Sequence, residues 1–280
     1  MAKLGANRYG KSRVRLSRIT RTGHRHEFQE WTVSVLLHGD FETSFTAADN
    51  SKILPTDTMK NTVYSLARDS KTATIEEFAI ELGNYLLSHN QQVSKVGLEI
   101  EEKEWDRLLV EGEPDATTFK LGGPETRTVC AERSQDGEWA ISSGVDRLTI
   151  LKTGKSAFTG YIKDRLTTLK PATDRILGTC ATITWDYVSP RQDFAEVRTR
   201  IVTALLKEFA AHNSMSVQHT LFDMGKAALA AAPEIARIQL AMPNLHHLLA
   251  DLTTFGQDNP NHIFVPIDEP HGYIEAIVER

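Results

Sequence analysis

The chain has 280 residues, 40% of them apolar and 25% charged, and a formal net charge of −5 at neutral pH. Such a length and balance supply ample core material for one large domain or two medium ones. The mild negative charge argues against a nucleic-acid surface, and no run approaches the ~18 apolar residues of a membrane span. A small anionic ligand would need a local basic site set against the global charge.

The N-terminal run MAKLGANRYGKSRVRL lacks the apolar stretch of a signal peptide, and the final IEAIVER lacks an S-K-L type peroxisomal address. A cytoplasmic location is the expectation. Cys130 and Cys180 are single and far apart, which fits a reducing compartment and gives no C-x-x-C pair for a structural zinc.

In chain order, residues 11–22 begin with strand alternation that breaks at Ser17–Arg18, which reads as a bulge. WTVSVLLHG (31–39) alternates with Trp31, Val33, Val35 and Leu37 on one side, a half-buried strand. A polar connection near Thr22–His26 joins the two, and His24 and His26 read as loop residues. A helix starts at Pro55–Thr56 and runs to about Asp69. A second carries a capping box, Thr74 with Glu77, ahead of Ile75, Phe78, Ala79, Leu82 and Leu86 at helical spacing. Segments 92–109 and 118–134 are strands around an acidic Gly/Pro turn at 111–115.

The pattern then repeats. Residues 139–152 and 175–188 read as strands joined by a long excursion that holds Phe158 and Leu169. Asp193 and Glu196 open a helix with Phe194, Val197, Ile201, Val202, Leu205, Leu206 and Phe209 on one stripe, and Ser216 caps another, VQHTLFDMGKAALAAA. Strands resume at 235–252 and 262–279, split by GQDNP at 256–260. The order is ββααββ twice. Pro55-Thr56-Asp57 is faintly echoed by Pro171-Ala172-Thr173-Asp174, and an internal duplication near residue 137 divides the chain into repeats 1–137 and 138–280. Antiparallel sheets with helix pairs on one face make an α+β class. Each half leaves open sheet edges, and closure with other copies would remove them, so an oligomer is expected.

Three runs carry the chemistry: YGKSRVRL at 9–16, LPTDTMKNTVY at 54–64 and MPNLHHLLADL at 242–252. They supply Lys11, Thr56 and His246. A lysine, a hydroxyl and an imidazole that meet in space form a proton relay without metal or organic cofactor. With GDFETSFTAADN, AFTGYIKDRLTTLKPATDRIL, SVQHTLFDMG, PNLHH and FGQDNPN, the chain resembles the urate oxidase (uricase) family over essentially its whole length.

That resemblance implies a tandem T-fold (tunnelling fold) and a homotetramer with strands closed into a barrel and active sites at subunit interfaces. It implies cofactor-independent, metal-free oxidation of urate by O2 to 5-hydroxyisourate and H2O2. Position by position, Lys11, Thr56 and His246 correspond to the relay. Arg175 and Gln218 correspond to the clamp on the purine, and Phe158 to the ring stacked on it. Val217 corresponds to a main-chain contact, Leu169 to a pocket wall, and Asp57 to a further backbone contact. Asn244 with Thr56 corresponds to the small polar site for O2 or water. Lys11, Thr56 and Asp57 would come from one subunit and the rest from its neighbour. Leu245 stands where a lysine is expected, and the match is weakest over 92–140.

The residue types suit this chemistry. A guanidinium matches a planar anionic edge bidentately, as lysine cannot. Val217 and Gln218 would sit in the first turn of a helix, where free N–H groups favour an anion, and Thr56 and Asp57 open another. Taken singly, each is ordinary: Thr56 fits a helix N-cap, Lys11 an exposed strand lysine, Arg175 a surface arginine, Phe158 a core ring, and His246 and His247 strand histidines. His247 keeps that structural reading. Two other functions compete: a purine or pterin T-fold enzyme of the cyclohydrolase or pterin synthase type, and a non-catalytic purine-binding T-fold protein. The former needs clustered His/Cys zinc ligands or an acidic ring anchor.

Overall fold

The computed structural model describes residues 2–280, the side chain of Asp268 excepted. It separates into two compact units. One runs to Asp146 and takes in Asp186–Ala195; the other comprises Arg147–Trp185 and Glu196–Arg280.

In the first unit, β1 (Tyr9–Thr22) and β2 (Arg25–Gly39) form a hairpin. The alternation in β2 is realised in full: Trp31, Val33, Val35 and Leu37 are all completely buried. A short helix α1 (Glu42–Thr46) follows. It was not expected, because five residues are too few to show a helical period. Next come α2 (Thr56–Asp69) and α3 (Ile75–His89), then β3 (Val93–Val110) and β4 (Glu113–Ser134). The capping box at Thr74 and Glu77 is present. It starts α3 in the phase that buries Ile75, Phe78, Ala79, Leu82 and Leu86. The Phe78 ring lies 4.9 Å from that of Trp31. Glu102, buried on β3, accepts the Trp31 indole N–H at 2.9 Å and pairs with Arg127 at 3.0 Å, so its charge is matched.

The bulge is not at Ser17–Arg18, which pair in register with Glu30 and Gln29. The alternation breaks there because Arg18 is recruited as a cover for Trp31. Its guanidinium lies 4.8 Å from the indole and donates to Gln29 and to the Thr72 carbonyl. The register slips instead between Lys11 and Val14, where Arg13 adopts φ 58°. Gly10 permits this: a Cβ there would stand 1.8 Å from the Val35 carbonyl oxygen.

In the second unit the strands again follow chain order. The end of β5 (Ala140–Lys152) precedes β6 (Leu177–Tyr187), β7 (Ile235–Leu249) and β8 (Phe264–Glu279). Between β6 and β7 lie α4 (Phe194–Ala211) and α5 (Val217–Ala231). Val197, Ile201, Leu205 and Phe209 of the α4 stripe are buried, while Leu206 falls at its margin and is exposed. The connection from β7 to β8 contains a 3-10 turn, Thr253–Phe255, not legible in the sequence.

The element order thus repeats, but the echo does not mark equivalent positions. Pro55 precedes a helix, whereas Pro171 lies in the irregular segment between β5 and β6. A better internal match is the backbone itself. Arg147 in β5 has φ 58°, as Arg13 has in β1, and each is followed by a buried aliphatic, Leu148 or Val14.

α5 lies close on β8: a Cβ on Gly225 would meet the stiff Val278 side chain at 2.6 and 2.9 Å. Gly225→Ala is therefore expected to destabilise the protein by about 1–3 kcal/mol through overpacking, despite the ~1 kcal/mol gain in helix propensity. Val278→Ala in the same chain should restore part of the loss. Chemical unfolding of the single and double variants checks this; additive losses would refute it.

Candidate active site

Lys11 lies on β1 opposite Val35, at the last paired position before the register slip. A bulge re-aims the side chains beside it. Two residues earlier, the Tyr9 hydroxyl accepts the Leu54 N–H at 2.8 Å and donates to the Leu54 carbonyl at 3.1 Å. Burial raises the pKa of this hydroxyl. Tyr9 thereby holds the approach to α2 against β1, two residues before Thr56. Sequence reasoning missed this link.

Thr56 is the first helical residue and not the cap. Pro55 stands at the cap position, and no side chain caps α2. The first-turn N–H groups of Thr56 and Asp57 are therefore open to a ligand. The Asp57 carboxylate turns along the helix to Lys60 at 2.5 Å and Asn61 at 3.1 Å. Lys60 is the main cause of its lowered pKa, and Lys11 adds a smaller electrostatic share. Lys11, Thr56 and Asp57 form the first-unit group.

The second-unit candidates converge on one cavity of about 330 Å³. Phe158, Leu169, Arg175, Val217, Gln218, Asn244 and His246 all line it, with Lys170, Leu245 and His247. The volume suits a small ligand. Among the described residues its lining holds no acid, so a chain of net negative charge nevertheless carries a basic pocket.

Backbone bonds assemble the walls. In the segment between β5 and β6, Phe158 and Ala172 exchange N–H···O bonds of 2.8 and 3.0 Å. This closes the excursion and brings Phe158 beside Arg175, whose guanidinium carbon lies 5.3 Å from the ring centroid. Tyr161 stacks on Phe158 at 5.0 Å and donates to the Leu169 carbonyl at 2.6 Å. The same segment is stitched to the start of α5: Ala157 N–H donates to Ser214 O at 2.7 Å, and Ser214 N–H to Lys155 O at 2.9 Å. Ser216 caps α5 by accepting the His219 N–H. The cap leaves the N–H groups of Val217 and Gln218 without helical partners, and the first turn holds no acid to oppose an anion.

Arg175 is half-buried. Burial lowers its pKa, with no acidic partner offsetting it, and its Nε is buried without a hydrogen-bond partner. Asn244 is buried on β7. There the pairing with β8 jumps from Asn244–Gly272 to His246–Ile267, so His246, like Lys11, sits beside a break in its ladder. His247, assigned a purely structural place, also lines the cavity, and its Nδ1 is buried without a partner. The only signal for it in the sequence was its adjacency to His246.

Such a cavity defines a receptor for a small, flat anion: a ring to stack on, a forked cation without a counter-ion, and open helix N–H groups. The comparisons give it a family. The Uricase family model matches residues 7–132 and 141–275. The uricase of Arthrobacter globiformis is 42% identical over 277 residues, covering 99% of this chain and 90% of that protein. The uricase of Cyberlindnera jadinii is 35% identical, covering 99% and 97%. The crystal structure of the Arthrobacter globiformis uricase superposes with a TM-score of 0.94 at 41% identity, covering 100% and 96%. A urate oxidase structure from Bacillus sp. TB-90, 22% identical with a TM-score of 0.85, shares the fold. The chain belongs to the uricase family, and its architecture is the α+β T-fold of that family.

An unpaired, partly desolvated cation is a cost to the empty protein. Arg175→Met should leave the thermal midpoint of the ligand-free protein unchanged or raise it. A clear drop in that midpoint would show that Arg175 has a structural partner.

Proposed function

We propose that this chain oxidises urate with O2 and water to 5-hydroxyisourate and H2O2, with no cofactor. Membership of the uricase family supports this, and the observation that carries it is a pocket that holds a guanidinium against a phenyl face with no acid among its described lining residues. Arg175 and Gln218 clamp the planar edge, the N–H of Val217 adds a main-chain contact, Phe158 stacks on the ring, and Leu169 closes the wall. Clamping sets the plane and favours the anionic form, which is the electron donor.

O2 is a triplet, so reaction with urate begins with single-electron transfer. The protein then has to place O2 over the ring and move protons. Asn244 and Thr56 form the polar site for O2 or water. Lys11, Thr56 and His246 form the relay, in which the hydroxyl both donates and accepts. Asp57 contributes through its backbone. The working form is a homotetramer. One subunit gives Lys11, Thr56 and Asp57, and its neighbour gives the pocket residues.

Urate-dependent O2 uptake by chelator-treated protein tests the activity; binding without uptake would leave a purine-binding protein only. Lys11→Ala or Thr56→Ala should lower kcat about 10²–10⁴-fold. Arg175→Ala should chiefly raise KM, about 10- to 100-fold. Full activity in Lys11→Ala would end the relay assignment.

The shared site has its own test. Lys11→Ala and His246→Ala chains, each inactive alone, should regain activity when assembled together. Random mixing gives about a quarter of the sites both intact groups if each site draws on two subunits. No recovery in verified hybrids would place the whole site within one chain.

A further inference from the structure

Away from the pocket, one group of ligating side chains converges among the described residues. His212, His219 and Asp223 bring one ligand atom each to within 4.8 Å of one another. None of them lines the pocket described above. His219 and Asp223 are four residues apart on α5, hence on one face, while His212 directly follows the end of α4.

The two distances from Asp223 fit the edges of a coordination polyhedron. Asp223 Oδ2 lies 3.3 Å from His212 Nδ1 and 3.3 Å from His219 Nε2. An N–H···O bond averages about 2.9 Å. The edge of a tetrahedron around an ion with bonds of about 2.0 Å is about 3.3 Å. Glu208 Oε1, 3.6 Å from His212 Nδ1, stands near enough to supply a further oxygen. Lys226 occupies the other Asp223 oxygen at 2.9 Å, which leaves Oδ2 to the imidazoles.

His212 is almost wholly buried, and its Nδ1 is the ring nitrogen turned to Asp223 and Glu208. Lys226 and Lys152, the latter bound to the carbonyls of Phe209 and His212, place positive charge nearby. That charge disfavours loosely held hard cations and leaves the site to ions that bond strongly to imidazole.

We propose that His212, His219 and Asp223 form a binding site for a transition-metal dication of the Zn²⁺ class, which fastens the end of α4 to the first two turns of α5. The fastened turn is the one that presents Val217 and Gln218 to the pocket. The ion takes no part in the oxidation.

The test uses full-length, tag-free protein stripped with chelator and titrated with Zn²⁺, with Co²⁺ as the spectroscopic probe. The expected result is one ion per chain, the intense visible bands of tetrahedral Co²⁺, and a raised Tm. His219→Ala and Asp223→Asn should weaken binding at least ~10-fold and abolish the bands. Both sites are partly exposed, so these chains should fold. His24→Ala, in an exposed loop, should change nothing. Weak bands of octahedral Co²⁺ only, or Zn²⁺ affinity unaltered in both cluster variants, would overturn the assignment. The readouts do not involve urate, so they are independent of the proposed activity.

Discussion

Holding the Arg175 guanidinium half out of water without a counter-charge is the constraint around which the second unit is arranged. A carboxylate beside it would remove the cost and also spend the forked donors within the protein, leaving none for a ligand. The described lining of the pocket accordingly holds no acid, although the chain as a whole is acidic. The phenyl face of Phe158 lies against it, and the first turn of α5 and the Asn244 amide share its cavity without neutralising its charge.

The relay candidates have a common placement. Lys11 and His246 both sit where a regular ladder gives way, one beside the slip in β1 and the other beside the jump between β7 and β8. A regular strand fixes side-chain direction by strict alternation, and a break frees one position from that rule while its neighbours stay in the sheet. Thr56 reaches the same end differently. It opens a helix that no side chain caps, positioned through Tyr9. The relay candidates thus stand on rigid elements at the points where regular geometry lapses.

Much of this was legible beforehand. The alternation of Trp31, Val33, Val35 and Leu37, the capping box of α3 and the start of α5 at Ser216 are local signals, and local structure obeys them. The pocket residues were legible through family resemblance, because Phe158 and Asn244 share no local pattern. What escaped was set by distant partners. Arg18 interrupts the alternation because it covers Trp31, and only the fold shows that the slip lies at Arg13. Tyr161 serves by stacking on Phe158, and Tyr9 by gripping Leu54 across 45 residues. The convergence of His212 with His219 and Asp223 depends on how the chain turns between two helices.

The stitching of the irregular segment has a consequence for hydrogen exchange. The amide protons of Ala157, Phe158, Ala172 and Ser214 all lie in bonds that join this segment to itself or to the approach to α5. Few other backbone bonds hold it, so these protons are exposed together by one local opening and not by independent frayings. An anion that bridged Arg175, Phe158 and the first turn of α5 would close that same opening. The occupied pocket would then be recorded in the exchange rates of amides that never touch the ligand.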